Sequence, residues 1–378
     1  MPEASAPPPG RGSAQASARN DRWRPLLLGL LSLAVALLLA ELLVRLSSVG
    51  PDVALVPTDH VVLSSDPVLR YELRAGAEDG ATRINTAGFR DREFPEPKPD
   101  GVFRIVAIGD SVTFGFDVAQ DEAYPKQLER ELNAAAEPGA PRYEVLNFGV
   151  SGYNLPQSVA RLRSLALRYA PDLVVYGYCL NDSQASSLEA DLLERARDQE
   201  QRSLQRSRAI RLVARSRIFQ LVYALLQPRD PAAQETELPE DPGFAATAAG
   251  QRDRYFRGLH RRQEPRQRLE AGLAALGQIT RDTGVPVWVA IFPLFVDEDD
   301  YPLRDVHAAV AARARAHGLE AVDLQPAFEA ARGAEALASD LVHPTTLGHQ
   351  LAARTLLREL ATREPRALAP RGGTDAGI

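Results

Sequence analysis

The feature that most constrains the fold is an alternation of short apolar runs with helical segments between residues 103 and 360. Runs that match buried parallel strands lie at 103–109, 143–149, 172–179, 285–292 and 319–324, and helical stretches follow at about 121–136, 155–169, 265–283, 303–317 and 346–360. Strands that alternate with helices indicate parallel βαβ units. We therefore predict a flavodoxin-like, doubly wound α/β domain over 103–362, with a five-stranded parallel sheet, helices on both faces and ligands at the carboxyl ends of the strands.

Three segments lie outside this alternation. Residues 47–102 are irregular and contain the proline cluster 95–99, so they are predicted to be a linker or N-terminal extension. Residues about 183–262 form a long, highly charged insertion with one apolar patch at 218–226, and such insertions are usually functional or disordered. The Pro, Gly and Ala-rich end, 363–378, is predicted to be disordered.

The N-terminus contains a candidate membrane anchor at 26–46, after a predicted cytoplasmic tail at 1–25. Residues 26–44 have Glu41 as their only charge, and a helix of that length measures about 28 Å, close to the ~30 Å hydrocarbon core. The arginines before the span predict an N-terminus inside and an extracytoplasmic α/β domain, anchored to the cell membrane by a single-pass helix. A cleaved signal peptide is the alternative, although Glu41 and Arg45 occupy the place of its cleavage site.

Composition argues against several classes of function. A formal net charge of −6 provides no basic surface, so nucleic acid is not an expected partner. The single cysteine, Cys179, excludes an intramolecular disulfide and a cysteine-based metal cluster, and no residues have metal-ligand spacing. We therefore expect neither a metal nor another cofactor. Because Cys179 ends an apolar strand, its thiol is predicted to be buried and inert.

Four polar segments lie where this fold places a ligand. They are Gly109-Asp110-Ser111 after the first strand, 147–152 after the second, Asn181-Asp182 after the third, and Asp340 to His343 before the last helix. Each has an ordinary explanation when taken alone: a helix cap, a tight turn, another turn or cap, and a surface histidine.

Together the segments contain what acyl transfer requires. A serine hydroxyl such as that of Ser111 needs a base, which His343 can supply, while Asp340 can hold the other ring nitrogen. Helix-start N–H groups and the Asn181 amide can stabilise an oxyanion. Ser111 and His343 are 232 positions apart, so only a closed α/β domain brings them together.

These blocks resemble, in order, the four signature blocks of the SGNH/GDSL hydrolase family, and residues 85–90 (NTAGFR) are similar to a stretch in its bacterial membrane-attached members. The resemblance implies a serine esterase with Ser111 as nucleophile, His343 as base and Asp340 as its partner. The oxyanion donors would be the Ser111 N–H, the Gly152 N–H and the Asn181 amide. One departure is Cys179, where the third block normally has glycine, which bears on the backbone path near Asn181.

The sequence leaves the substrate and two other functions open. The expected partner is an acyl ester of a glycan or lipid. An O-acetyltransferase acting on an envelope polysaccharide would use the same triad with another acceptor, and a non-catalytic module would bind glycan in the same cleft. The insertion at about 183–262 starts directly after Asn181-Asp182 and is predicted to cover the catalytic cleft and help select the substrate. Its patch at 218–226 is expected either to lie on a membrane surface or close over an acyl chain, or to pack on the domain's flank.

Overall fold

The structure is a computed structural model that describes residues 60–79, 82–185, 249–296, 301–333 and 336–363, with eight helical positions between 25 and 39. No helix in this described part is both long enough and apolar enough to cross a membrane. The predicted anchor at 26–46 and the predicted tails at 1–25 and 363–378 lie largely outside the described residues, and the patch at 218–226 lies entirely outside them.

From residue 60 onward, the described residues form nine strands and eight α-helices. The strands are β1 (Val61–Leu63), β2 (Tyr71–Leu73), β3 (Glu78–Asp79), β4 (Thr82–Arg83), β5 (Val102–Gly109), β6 (Arg142–Asn147), β7 (Leu173–Tyr178), β8 (Val287–Ile291) and β9 (Glu320–Asp323). The helices are α1 (Ser111–Phe114), α2 (Tyr124–Ala135), α3 (Leu155–Ser164), α4 (Ala249–Arg261), α5 (Gln263–Thr283), α6 (Arg304–Ala316), α7 (Gln325–Ala330) and α8 (Thr346–Arg363).

The central element is a parallel sheet with the strand order β6-β5-β7-β8-β9. Neighbouring residues of a strand point to opposite faces, and both Ile105 and Val106 of β5 are fully buried, so both faces of the sheet are covered. Helix α2 packs with α8, and α5 packs with α3 and α6. The predicted five-stranded, flavodoxin-like parallel sheet is confirmed, and β5, between β6 and β7, lies at its switch point.

The N-terminal extension, residues 60–101, is folded onto the sheet domain. Strands β1 and β2 pair antiparallel, as do β3 and β4. One apolar cluster joins residues of the extension to residues that follow β5 and β6: Val61, Leu69, Tyr71, Leu73, Ile84, Phe114, Val150 and Tyr153. The segment reads as irregular in sequence because strands of two or three residues are too short to show alternation.

Helix α4 lies in the C-terminal part of the predicted insertion and packs against the domain. Phe256 is fully buried, and His260 Nε2 lies 2.7 Å from the Tyr178 hydroxyl at the end of β7. Residues 186–248 of the insertion lie outside the described residues.

Candidate active site

A tight turn between β5 and α1 carries Ser111. The cap of α1 is Asp110, whose side chain accepts a hydrogen bond from the Val112 N–H at 2.9 Å. Ser111 is therefore the first helical residue and not the cap. The loop after β6 passes close behind this turn, because a Cβ atom at Gly149 would lie 2.3 Å from the backbone nitrogen of Phe114. Glycine at 149 is thus required for the two loops to meet.

Ser111, His343 and Asp340 form a continuous hydrogen-bonded chain. The Ser111 Oγ lies 2.9 Å from His343 Nε2, and His343 Nδ1 lies 2.7 Å from Asp340 Oδ2. The other carboxylate oxygen of Asp340 accepts the backbone N–H groups of Val342 and His343 at 2.7 and 2.8 Å. One aspartate therefore fixes both the turn that carries His343 and the orientation of its ring.

These contacts favour the ionised form of Asp340. Desolvation opposes ionisation and is the largest single contribution, but the hydrogen bonds from the His343 ring and from two backbone N–H groups together outweigh it, so the pKa of Asp340 is lowered. Its side chain is 46% exposed and that of His343 is 17% exposed, so the pair lies at the rim of the site.

The ring of Phe116 lies beside the proposed base, His343, and the sequence analysis did not identify it as a site residue. Its ring packs on the His343 ring with 4.6 Å between centroids, although Phe116 remains 39% exposed. The only signal in sequence is its position five residues after Ser111, which alone does not distinguish it from a core residue.

The two other predicted site residues lie in the loops that flank the Ser111 turn. Gly152 follows β6 and has a φ of 78°, and Asn181 follows β7. Both strands are neighbours of β5. The two loops are joined by a hydrogen bond from the Leu155 N–H to the Asp182 carbonyl at 3.1 Å. The Asn181 Oδ1 is buried without a hydrogen-bond partner.

The turn after β7 accommodates Cys179 without strain. Cys179 does not have a positive φ, so the glycine that the family usually has there is not required for this backbone path. Its thiol is buried, as predicted, and burial raises its pKa well above the ordinary value. Asp182 Oδ2 accepts the Cys179 N–H at 3.1 Å and the Tyr176 hydroxyl at 2.5 Å, which holds the turn that carries Asn181. Burial, with the nearby Asp110 second, raises the pKa of Asp182 well above its ordinary value.

Two further histidines have structural partners. His349 is fully buried, and its Nδ1 accepts the Tyr124 N–H at the start of α2. His307 Nδ1 lies 2.7 Å from Asp323, and its Nε2 lies 2.9 Å from the Tyr301 hydroxyl. The sequence analysis missed the pairing of His307 with Asp323 because 16 positions separate the two residues and no local motif links them.

A family comparison covers the part of the chain that carries this site. The model of the GDSL-like Lipase/Acylhydrolase family matches residues 107–351. An alpha/beta hydrolase enzyme from the metagenome of Lake Arreo, Spain, is 20% identical, with 71% of this chain and 96% of that chain covered and a TM-score of 0.42. An acetylxylan esterase from Geobacillus stearothermophilus is 21% identical, with 68% and 94% covered and a TM-score of 0.40. No curated protein matches the chain.

The family match spans well over half of the 378 residues and includes the turn at Ser111, the loops at Gly152 and Asn181, and the loop of Asp340 and His343. The chain therefore belongs to the GDSL-like lipase/acylhydrolase family and is a serine hydrolase that acts on ester bonds.

Proposed function

We propose that the chain hydrolyses an acyl ester through a triad of Ser111, His343 and Asp340. The observation that carries the proposal is the chain of two hydrogen bonds, 2.7 Å from Asp340 to His343 and 2.9 Å from His343 to Ser111. An ionised carboxylate can only accept, so His343 Nδ1 donates to Asp340 and Nε2 keeps its lone pair toward the serine hydroxyl. This is the tautomer that a general base needs.

The reaction follows from this arrangement. Ser111 Oγ attacks the ester carbonyl carbon while His343 Nε2 takes the hydroxyl proton, and the tetrahedral oxyanion accepts hydrogen bonds from the Ser111 N–H, the Gly152 N–H and the Asn181 amide. The intermediate then expels the alcohol, which receives the proton from His343. Water attacks the acyl-enzyme with the same base, which releases the acid and regenerates Ser111.

The substrate class that we propose is an acyl ester of a glycan or a lipid. The position of the triad at the rim of the site supports a large alcohol group that extends into solvent, since His343 and Asp340 are both partly exposed. The exposed ring of Phe116 beside His343 supplies an apolar surface for such a group.

We also propose that residues 26–46 anchor the chain to the cell membrane, with the α/β domain outside the cytoplasm. Support comes from the apolar composition of this segment. Its described large apolar side chains, Leu28, Leu31, Val35 and Leu39, are all at least 46% exposed. Fusions of an extracytoplasmic reporter after residue 50 test this topology, because the reporter should be active only if that point lies outside.

The function is tested with the purified full-length protein in detergent. A fluorophosphonate probe should label the wild type and the control Ser158→Ala, a buried serine on α3, but not Ser111→Ala. A panel of acetylated xylo-oligosaccharides, lysophospholipids and short soluble esters then identifies the preferred ester. Assays with and without a sugar acceptor separate hydrolysis from acetyl transfer. Absence of both labelling and turnover would contradict the proposal and favour a glycan-binding module.

A further inference from the structure

A hydroxyl group from the N-terminal extension contacts the loop that carries Gly152. The Tyr71 hydroxyl, on β2, donates to the backbone carbonyl of Ser151 at 2.6 Å. That carbonyl belongs to the same peptide unit as the Gly152 N–H. The peptide unit is planar and trans, so its C=O and N–H point in opposite directions. Whatever holds the Ser151 oxygen therefore also sets the direction of the Gly152 N–H.

This peptide is the central one of a β-turn. Residues 150–153 close with a hydrogen bond from the Tyr153 N–H to the Val150 carbonyl at 3.1 Å, and Gly152 has a φ of 78°. That φ is the value of a type II turn at its third residue, and Ser151 does not have the positive φ that a type I′ turn would need. Types I and II differ by a flip of the central peptide, which the closing hydrogen bond does not prevent.

Burial and ring packing fix the position of the Tyr71 hydroxyl. Tyr71 is only 1% exposed, and its ring packs edge-on against the Tyr153 ring with 5.1 Å between centroids. The Tyr153 hydroxyl donates back to the Tyr71 carbonyl at 2.5 Å, so the extension and the turn are joined by two reciprocal hydrogen bonds. Only the bond from Tyr71 reaches the central peptide of the turn. This hydrogen bond also polarises that peptide and strengthens its N–H as a donor.

We propose that Tyr71 is a positioning residue of the oxyanion hole, which it serves by holding the Ser151–Gly152 peptide with its N–H toward the reacting carbonyl. The inference rests on the proposed function, in which the Gly152 N–H is a donor. It assigns a catalytic contribution to a segment that precedes the family match at 107–351.

The test compares Tyr71→Phe with Tyr153→Phe in the full-length enzyme. Both variants remove one hydroxyl and one hydrogen bond between the same two segments, so both should lower Tm to a similar extent. Only Tyr71→Phe should lower kcat on a soluble acetyl ester, by about tenfold with KM nearly unchanged. This loss is smaller than the 10²–10³-fold for a deleted donor because the Gly152 N–H remains. Affinity for phenylboronic acid, which forms a tetrahedral adduct with the serine, should fall by a similar factor.

Rescue supplies a second measurement. Substitution of Tyr71 by 4-aminophenylalanine keeps an N–H donor and should restore kcat, whereas 4-methylphenylalanine fills the same volume without a donor and should not. This pair also replaces Tyr71→Phe if that variant does not fold. Wild-type kcat in Tyr71→Phe, equal kcat losses in Tyr71→Phe and Tyr153→Phe, or no difference between the two analogues would overturn the inference. Ser111→Ala, assayed in parallel, must be inactive; if it retains turnover, the proposed function itself fails.

Discussion

The guanidinium group of Arg90 donates to the backbone carbonyl of Phe114, the last residue of the helix that begins with Ser111, at 2.7 Å. It also donates to the carbonyls of Gly115 and Val118, both at 2.8 Å, and Arg90 is only 1% exposed. The Phe114 and Gly115 carbonyls lie at the end of this helix, where backbone acceptors take donors from outside the helix, and a cation there is favoured by the helix dipole. Burial lowers the pKa of Arg90 to about 10, so it remains charged at neutral pH.

Arg90→Met should therefore destabilise the protein and reduce turnover. All three carbonyls lose a charged donor, although Phe114 keeps a hydrogen bond from the Asn147 amide at 3.2 Å and Gly115 keeps one from the Val118 N–H at 3.4 Å. Because a hydrogen bond to a charged group contributes about 1.5–3 kcal/mol, the loss in unfolding free energy should reach several kcal/mol. Arg92→Met is the matched control, because the Arg92 side chain is 45% exposed and makes one ion pair, with Glu129, and one contact with the Phe94 ring. It should lose about 1 kcal/mol at most. Urea unfolding of both variants measures the difference, and similar losses would contradict the role assigned to Arg90.

The triad predicts a graded loss of activity. Ser111→Ala and His343→Ala should each abolish ester hydrolysis. Asp340→Ala should retain a low turnover, because the base remains but has lost its orienting partner. Because Asp340 also accepts two backbone N–H groups, its replacement should lower Tm as well. Steady-state kinetics and thermal melts measure both effects. If Ser111→Ala kept wild-type turnover on every ester that the wild type cleaves, the proposed triad would be wrong.

Asn181→Ala should lower kcat by about 10²–10³ with little change in KM, as expected for one lost oxyanion donor. Its Oδ1 already lacks a partner, so little stability should be lost with the side chain. Kinetics and melts on the same preparation distinguish the two roles. A large fall in Tm with normal turnover in the folded fraction would show that Asn181 is structural.

Cys179→Gly and Cys179→Ser should both keep ester hydrolysis. The thiol is buried and burial raises its pKa, so it stays protonated and inaccessible at neutral pH. Its backbone has no positive φ, so neither replacement needs a new chain path. Ester turnover before and after treatment with iodoacetamide completes the test. Inactivation by Cys179→Ser with Ser111 intact would contradict an inert thiol.

The central sheet could be predicted because its signal is local. In β5, four consecutive residues, Ile105 to Ile108, are apolar and fully buried, which is the pattern of a strand covered on both faces. Because parallel strands end at the same edge, that pattern also predicts that the loop of Ser111 lies near those of Gly152 and Asn181. The pairing of His343 with Asp340 could also be predicted, because the two residues lie three positions apart on one short loop.

The hydrogen bonds that hold the site loops in place could not be predicted, because they join residues that lie far apart in the sequence and that no motif links. Tyr71 meets Ser151 across 80 positions, and Arg90 meets Phe114 across 24. No sequence pattern predicts which carbonyl a buried tyrosine or arginine will contact. The extension that carries both residues is built from strands too short to show alternation, so it reads as a linker.

Two buried histidines predict how stability depends on pH. Burial first, and then electrostatic interactions with Arg90 and His343, lowers the pKa of His349 to about 3, and burial lowers the pKa of His260 to about 4. The unfolded chain takes up these protons near pH 6.5, whereas the folded chain does so only near pH 3 to 4. The unfolded state therefore binds more protons in this interval, and stability should fall as pH drops below about 6.5, by about 1.4 kcal/mol per pH unit for each histidine.

His349→Asn and His260→Gln isolate this effect from the titration of carboxylates. Each keeps an acceptor near the nitrogen that it replaces, for the Tyr124 N–H and the Tyr178 hydroxyl respectively, but does not titrate. At pH 7 each variant should be less stable than the wild type through imperfect packing. That deficit should shrink as pH is lowered toward 4, because only the wild type loses the histidine contribution. Urea unfolding at pH 7, 6, 5 and 4 measures it, and a deficit that stays constant would mean that these histidines take up protons over the same pH range in the folded and unfolded chain.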